Sequence, residues 1–516
     1  MTERFDVIII GSGAGGGTLA YALAPTGARI LLVERGDYVP QEAENWSPEA
    51  VWKYRRYRTP ETWIDAADGA EFSPYTHYCV GGNTKFWGAV LYRLRREDFG
   101  ELHHAEGISP AWPISYDDLA PYYDGAERLY DVHGEVGPDP SEPSRNAFPL
   151  APFAHEPRMA EISERLRAQG YHPSPLPLGI RANCERCTTC NSFPCRVHAK
   201  SDAEVVAVRP SLLQPAVTLW TNTRALRLVT DAAGGRVTGV VVERYGETMT
   251  VEADTIVVAC GAVNSAALLL RSATRSQPNG LANSSGLVGR NYMAHHATMI
   301  SAIGWRTNET RFQKTLAVND FYLRGPRSPY PLGQIQSQGR IHPHMIQSGA
   351  PPRWRRAASR VPLAIYRLAW TSRSVDWLAM TEDLPHPENG ITLVNDRIHL
   401  MYRPSNLGPH HELVELTKEM LKSLGLRFPF ATSLGAGNTT HQCGTLVFGR
   451  DPRTSVLDPY CRTHDIANLF VVDASFFPSS AAVNPGLTIA AQALRVADHI
   501  KAKDLGLGAR GSGIGV

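Results

Sequence analysis

Three groups of residues have types and spacings that could do chemistry. Gly11-Ser12-Gly13-Ala14-Gly15-Gly16 fits G-x-G-x-x-G. In that pattern Gly11 allows a tight turn, Gly13 lets the backbone approach a pyrophosphate, and Gly16 permits a helix to pack closely on a strand. Far along the chain, His441 precedes Gly444-Thr445, and Asn484 opens Asn484-Pro485-Gly486-Leu487-Thr488. Histidine titrates near neutral pH and suits proton removal from a hydroxyl. Asparagine cannot take a proton there, but it can orient a hydroxyl and stabilise a developing alkoxide. The third group is Cys184, Cys187, Cys190 and Cys195, spaced much like four thiolate ligands of zinc or an iron–sulfur cluster. Here Pro194 precedes the fourth cysteine where the iron–sulfur run has a proline after it. The expectation is a reduced, partly buried loop over 180–200 and no metal, with a metal site as the alternative.

The elements that must position these groups follow from pattern. Phe5–Ile10 reads as a buried strand, Thr18–Leu23 as a helix and Arg29–Val33 as a second strand ending in Glu34, whose carboxylate can accept from a ribose diol. Strand, glycine turn, helix, strand and acidic residue in that order form a dinucleotide-binding unit, although they do not separate FAD from NAD. Residues 36–78 lack clean periodicity and read as an irregular, lid-like excursion. Val80–Gly88 is a second glycine-rich turn. Residues 113–133 read as a helix with Ser115 as N-cap, and 158–170 as a short amphipathic helix. Strands are expected at 217–220, 226–230, 237–244 and Thr255–Ala259, the last leading through Cys260-Gly261 into a helix that ends at Leu270. From about 300 to 435 alternating strands appear, among them Thr298–Trp305 and Gly333–Ile341, followed by a helix over 410–424. Leu469–Val472 reads as a buried strand ending in Asp473, and Leu487–Ile500 as a closing helix.

Composition narrows the function classes. The chain has 516 residues, 43% hydrophobic and 20% charged, with 52 Lys+Arg against 50 Asp+Glu. It is a globular protein and not a disordered or highly charged one. A net charge of +2 argues against a protein-wide nucleic-acid surface. No apolar run approaches the roughly 18–20 residues of a membrane helix, and no secretory leader is evident, so a cytoplasmic location with reduced thiols is expected.

Taken together, the motifs resemble the glucose–methanol–choline family of FAD oxidoreductases. The resemblance rests on the Gly11–Gly16 turn with Glu34, on Gly81-Gly82-Asn83-Thr84, on Thr255–Leu270, and on a C-terminal block. In that block His441-Gln442-Cys443-Gly444-Thr445 is similar to the family's His-x-x-Gly-Thr, Val471–Ser475 to its acidic strand end, and Asn484–Thr488 to its Asn-Pro turn. Within the family, the branch of pyranose oxidases and bacterial C-glycoside 3-oxidases is most similar. The resemblance implies an α/β (overall α+β) chain. Its discontinuous Rossmann-like FAD domain (1–300 and 436–506) would carry an inserted substrate domain (301–435) on a mainly antiparallel sheet.

It further implies His441 as general base and Asn484 as the second catalytic residue. Expected FAD contacts are Gly11, Ser12, Gly13, Ala14, Gly16, Glu34 and Arg35, then Gly82, Asn83, Thr84, Gly88 and Ala89, then Ala225, Cys260, Gly261, Asp473, Pro485 and Thr488. Trp87 reads equally well as core or flavin wall. Some pyranose oxidases attach FAD through a histidine where this chain has Phe86, so non-covalent FAD is expected.

Gln334 and Gln336, alternating on a strand, could offer amides to a sugar or could form a solvated face. The stretch Arg353, Trp354, Arg355, Arg356 and Arg360 reads as a mobile, solvated loop, with a lid, an oligomer contact or an anionic-substrate clamp as alternatives. The implied reaction is oxidation of a secondary pyranose hydroxyl, at the 3-position, with electrons passed to O2 or a quinone-type acceptor. Alternatives are a gluconate-type dehydrogenase with a cytochrome partner, a non-sugar alcohol oxidase, or a flavin-binding protein without catalysis.

Overall fold

A computed structural model of the chain describes residues 3–349, 352–435, 437 and 440–506, without side chains for 349 and 352–355. Two sheets organise it. The first has seven strands, ordered Val217–Trp220, Ile30–Val33, Arg4–Ile10, Glu247–Val258, Val237–Arg244 and Thr223–Thr230, with Leu469–Val471 also paired to Glu247–Val258. Val7–Ile10 and Ile30–Val33 are buried on both faces, as expected of parallel strands covered by helices. The expected strand at Thr255–Ala259 is the end of a longer one. Glu247–Glu252 pairs antiparallel with its predecessor, whereas Thr255–Val258 runs parallel to Arg4–Ile10. The polar first half carries no buried-strand signature, which hides the strand's length from a hydrophobicity reading.

Leu469–Val471 joins this sheet by pairing with Ile256–Val258. The C-terminal helix Gly486–Lys503 packs against Ala14–Leu23 and Tyr116–Leu129. Tyr116–Leu129 starts on a full capping box: Asp118 N–H donates to Ser115 Oγ and Ser115 N–H to the Asp118 carboxylate. So both chain ends build one nucleotide-binding layer, with Val7–Ile10, Ile256–Val258 and Leu469–Val472 in one core.

The second sheet has six antiparallel strands, ordered Arg427–Ser433, His296–Ile303, Ser374–Thr381, Gly333–Ser337, Leu316–Val318 and Pro173–Pro175. Strand alternation divides its side chains cleanly. Ile300, Ala302, Val375, Trp377 and Ile335 pack against helices Pro157–Ala168 and Leu407–Ser423. Met299, Ser301, Leu378 and Gln336 point the other way, into a cavity shared with the first sheet's loops. The excursion 36–78 is partly ordered into sheet, since Trp63–Asp65 pairs with Glu71–Phe72 and with Arg397–Met401.

One expectation needs correcting. The stretch read as a solvated loop is helical over Pro352–Arg360. It belongs to a helical cap with Pro343–Gly349 and Leu363–Tyr366; Gln347 Nε2 donates to the carbonyls of Ala358 and Val361. Prolines at 351 and 352 suggested irregular backbone, but proline is tolerated in the first turn of a helix. Arg356 and Arg360 are exposed; the side chains of Arg353, Trp354 and Arg355 lie outside the described residues.

Candidate active site

A cavity of about 1120 Å³ runs between the two sheets. It exceeds the roughly 300–1,000 Å³ of a drug-sized ligand site, leaving room for a large cofactor with a substrate beside it. The glycine turn lines one end. Gly11 has φ +101°, and a Cβ there would sit 2.3 Å from the Ala259 carbonyl oxygen. Helix Ala14–Leu23 follows with Gly13 at its N-cap and no capping side chain, so its first N–H groups are left for an anion. Gly16 does not line the cavity; its Cβ would strike the Gly11 carbonyl at 1.9 Å, so it serves the strand–helix contact.

Glu34 lies at the end of the second strand, buried, and burial raises its carboxyl. Ser12 donates to it from both N–H (3.2 Å) and Oγ (2.6 Å), and Gly36 N–H at 3.0 Å. Ser12 Oγ in turn accepts from Gly81 N–H at 3.0 Å, which ties the first glycine turn to the second. Arg35 is held beside it by Glu61 at 2.7 Å and by the Tyr78 ring. Ala225 lines the same end. Asp473 is buried and accepts from Gly261 N–H, Ser265 Oγ and Ser475, so it fixes the backbone after Cys260. Gly82, Asn83, Thr84, Gly88, Ala89, Cys260, Gly261, Asp473 and Pro485 all line the cavity. These groups suit a dinucleotide: an uncapped helix N-terminus, a backbone open at Gly13, and a buried carboxylate at the far end.

Besides Gly16, two expected contact residues do not line the cavity. Thr488, expected to offer its N–H from the first turn of helix Gly486–Lys503, does not line the cavity, and its hydroxyl bonds Tyr123 at 2.8 Å; Asn484, Pro485, Gly486 and Ile489 line it. Gln334 shares a strand face with Gln336 but lies beyond the cavity wall, fully buried. The face does not carry on as cavity wall to Gln334, and it is Gln336 and Gln338 that reach in. Trp87 is wall and core at once, lining the cavity and packing edge-on to Tyr130. The four clustered cysteines are free thiols, and no cluster of three or more metal-type ligands occurs among the described residues. Their loop instead delivers Asn191 and Ser192 to the cavity.

His441 and Asn484 line the same cavity. The short antiparallel pair of Met293–Ala294 with Gln442–Cys443 brings His295 beside His441. Nothing in the sequence marked His295; its role arises from a two-residue pairing between segments far apart in the chain. The hydrogen-bond chain fixes both tautomers. His295 Nε2 is 2.8 Å from the Ser480 carbonyl, which can only accept, so that nitrogen carries the proton. Burial holds His295 down to about 4, so the ring is neutral and its Nδ1 is a lone pair. His441 Nδ1, 2.9 Å away, must therefore donate to it. That leaves His441 Nε2 unprotonated and without a protein partner among the described residues. Burial, then His295 and Lys314, hold His441 well below the usual histidine range. Asn484 Oδ1 is buried without a partner among the described residues, so it is free for a ligand hydroxyl.

Two family models described as GMC oxidoreductase match the chain, over residues 14–297 and 387–493. Paromamine 6'-oxidase from Streptomyces fradiae is 33% identical across 96% of this chain and 91% of its own length. The fructose dehydrogenase large subunit of Gluconobacter japonicus is 29% identical across 97% and 98%. The crystal structure of pyridoxine 4-oxidase from Mesorbium loti superimposes with a TM-score of 0.68 at 19% identity, covering 96% of this chain and 99% of that one, a likeness of fold.

Proposed function

Because the chain belongs to the GMC oxidoreductase family, we propose that it uses non-covalently held FAD to oxidise a pyranose or glycoside hydroxyl. The preferred position is the secondary hydroxyl at carbon 3, giving a keto-sugar. The observation that carries the reading is the tautomer chain, which leaves His441 Nε2 as a free base in the cavity that the unpartnered Asn484 Oδ1 also lines. His441 takes the hydroxyl proton at Nε2 as the carbinol hydrogen leaves as hydride. Asn484 orients that hydroxyl. Bound FAD supplies the hydride acceptor.

Gly11, Ser12, Gly13 and Ala14 would hold the pyrophosphate, and Glu34, Arg35 and Ala225 the adenosine end. Gly82, Asn83, Thr84, Gly88, Ala89, Cys260, Gly261, Asp473 and Pro485 would line the remainder. Residues 1–300 and 436–506 form the FAD unit in this reading, and 301–435 the substrate unit. Reduced flavin is reoxidised by O2 or a quinone-type acceptor in the cytoplasm.

An anaerobic flavin-bleaching screen tests this, using free sugars, O-glycosides, C-glycosides and simple alcohols, with air readmitted afterwards. Bleaching by simple alcohols but by no sugar would overturn it. A second reading, oxidation at a primary 6-position, is favoured by the name of the Streptomyces relative. NMR of the product decides, since carbon 6 gives an aldehyde and carbon 3 a ketone.

Two further outcomes follow. Denaturation and filtration should release the flavin. Phe86 offers no attachment atom, although the His77 ring is stacked on it at 3.7 Å in the cavity wall, so flavin retained on the protein sinks the non-covalent reading. Replacing His295 acts through His441. His295→Phe removes the acceptor for His441 Nδ1–H and lets the tautomer invert, so flavin reduction should slow roughly 10²-fold with binding of sugar little changed. His295→Gln retains an acceptor oxygen and should recover much of the loss; equal rates for the two variants would reduce His295 to packing.

A further inference from the structure

Within the substrate half of the cavity, charge is one-sided. Lys314 lines it and is 2% exposed. Its Nζ has Asn191 Oδ1 at 3.2 Å, and no carboxylate lies within 4.0 Å among the described residues. It also reaches the border with the nucleotide half, since a Cβ on Gly88 would lie 1.6 Å from Lys314 Nζ.

The acidic residues of the cavity wall are Glu34 and Asp473. Both stand at the nucleotide end and are committed, Glu34 to Ser12 and Gly36, Asp473 to Gly261, Ser265 and Ser475. In the substrate half there are instead neutral amides: Gln336 and Gln338 are buried, and their Oε1 atoms, like Asn484 Oδ1, have no partner among the described residues. The cap over the mouth has the same sign. Across the cap segments, residues 343–371, the sequence holds five arginines and neither Asp nor Glu, and Arg356, Arg360 and Arg367 do not line the cavity itself. From this stretch Met345, Ile346, Ala358, Tyr366 and Trp370 line the cavity.

A buried cation without a counter-charge is costly unless a ligand supplies one. A sugar ammonium entering here would find no carboxylate and would face Lys314. A sugar carboxylate would compensate it. We propose that the substrate half selects by charge, favouring acidic glycosides, accepting neutral ones and rejecting amino sugars, with Lys314 as the residue that reads the difference. This rests on the reading of the cavity as a sugar-oxidising site. Burial holds the Lys314 ammonium down to about 7, with Lys200 adding to the effect, so an anionic ligand would draw a proton onto it.

The test uses the FAD-loaded enzyme and a matched series: phenyl β-glucuronide, phenyl β-glucoside and phenyl β-glucosaminide. Anaerobic flavin reduction should be at least about tenfold more efficient with the glucuronide than with the glucosaminide at low salt. Lys314→Gln, which can still reach Asn191, should flatten the series, and Lys314→Glu should reverse it. Sulfite, a small anion that adds to oxidised flavin, supplies a readout without any sugar. Its adduct should weaken about tenfold or more in Lys314→Gln. If no member of the series bleaches the flavin, the sugar reading fails while sulfite still decides the charge selection. An unchanged sulfite affinity, or a glucosaminide as good as the glucuronide, overturns the proposal.

Discussion

His441→Ala should abolish flavin reduction to within a residual rate roughly 10²–10⁴-fold below wild type, while FAD stays bound. The side chain removed is the one whose Nε2 carries a lone pair into the cavity, and no neighbour can replace it. His295 is turned away, its Nε2–H engaged by the Ser480 carbonyl. Lys314 lines the cavity and is held down to about 7, so it is protonated and unable to accept below neutral pH, and the variant is compared with wild type at about pH 6. FAD should remain because the cradle is built from the glycine turn, Glu34 and Asp473, none of which His441 touches. Stopped-flow bleaching of the variant, with flavin content read first, checks both parts. Near-normal bleaching would remove His441 from the mechanism.

The pH profile has a sign that follows from the same geometry. A base whose folded pKa is depressed stays in its active, neutral form until the pH falls below that depressed value. His441 is held well below 6.5, so wild-type flavin reduction should show no histidine limb between pH 9 and 6.5. Lys314, held down to about 7, lines the same cavity, so a rate that halves near 6.5 in Lys314→Gln as well would mean that His441 is not desolvated as described.

The second large effect is expected at Gly15, a position the G-x-G-x-x-G pattern leaves unassigned. A Cβ at Gly15 would stand 1.6 Å from the Val472 carbonyl oxygen and 2.7 Å from its carbon. That carbonyl lies just past the end of strand Leu469–Val471, and the Val472 N–H is bonded at 3.0 Å to the Val258 carbonyl. Neither backbone can retreat without breaking the sheet edge. Gly15→Ala should therefore cost on the order of 3 kcal/mol or more, a large share of a typical folding free energy, and yield aggregated or flavin-free protein. Gly13→Ala is the control. Its Cβ would meet nothing nearer than the Gly81 carbonyl oxygen at 4.0 Å, so the chain should fold, but the methyl would intrude where a pyrophosphate must approach. Thermal melts with flavin content separate the two: Gly13→Ala near wild-type stability but poor in FAD, Gly15→Ala deficient in both. A Gly15→Ala protein as stable as wild type would refute the close approach.

Local pattern carried a good deal of this. The Gly11–Gly16 turn between two buried strands is short-range: glycine spacing, β-branched runs and a following acidic residue are all set within one βαβ unit. The Asn484-Pro485 turn is legible for the same reason, since helix Gly486–Lys503 begins directly after it. Ser115 announces its helix by capping chemistry, with Asp118 three residues on. Where the reading failed, the deciding partner lay elsewhere in the chain. Thr488 lies off the cavity wall with its hydroxyl on Tyr123, and Gln334 lies beyond that wall although its strand face carries Gln336 into it.

By itself, then, the sequence determined the nucleotide-binding unit, the family-like order of motifs and the pair His441 and Asn484. Those depend on residues that act within a few positions of one another or within one recognisable turn. Only the tertiary structure decided which nitrogen of His441 is left unprotonated, through His295 and Ser480, and which charge lines the cavity there, through Lys314 and the absence of carboxylates around it among the described residues. A tautomer and an electrostatic environment are properties of neighbours in space. Hydrogen-bond direction and desolvation exist only once distant segments are packed together.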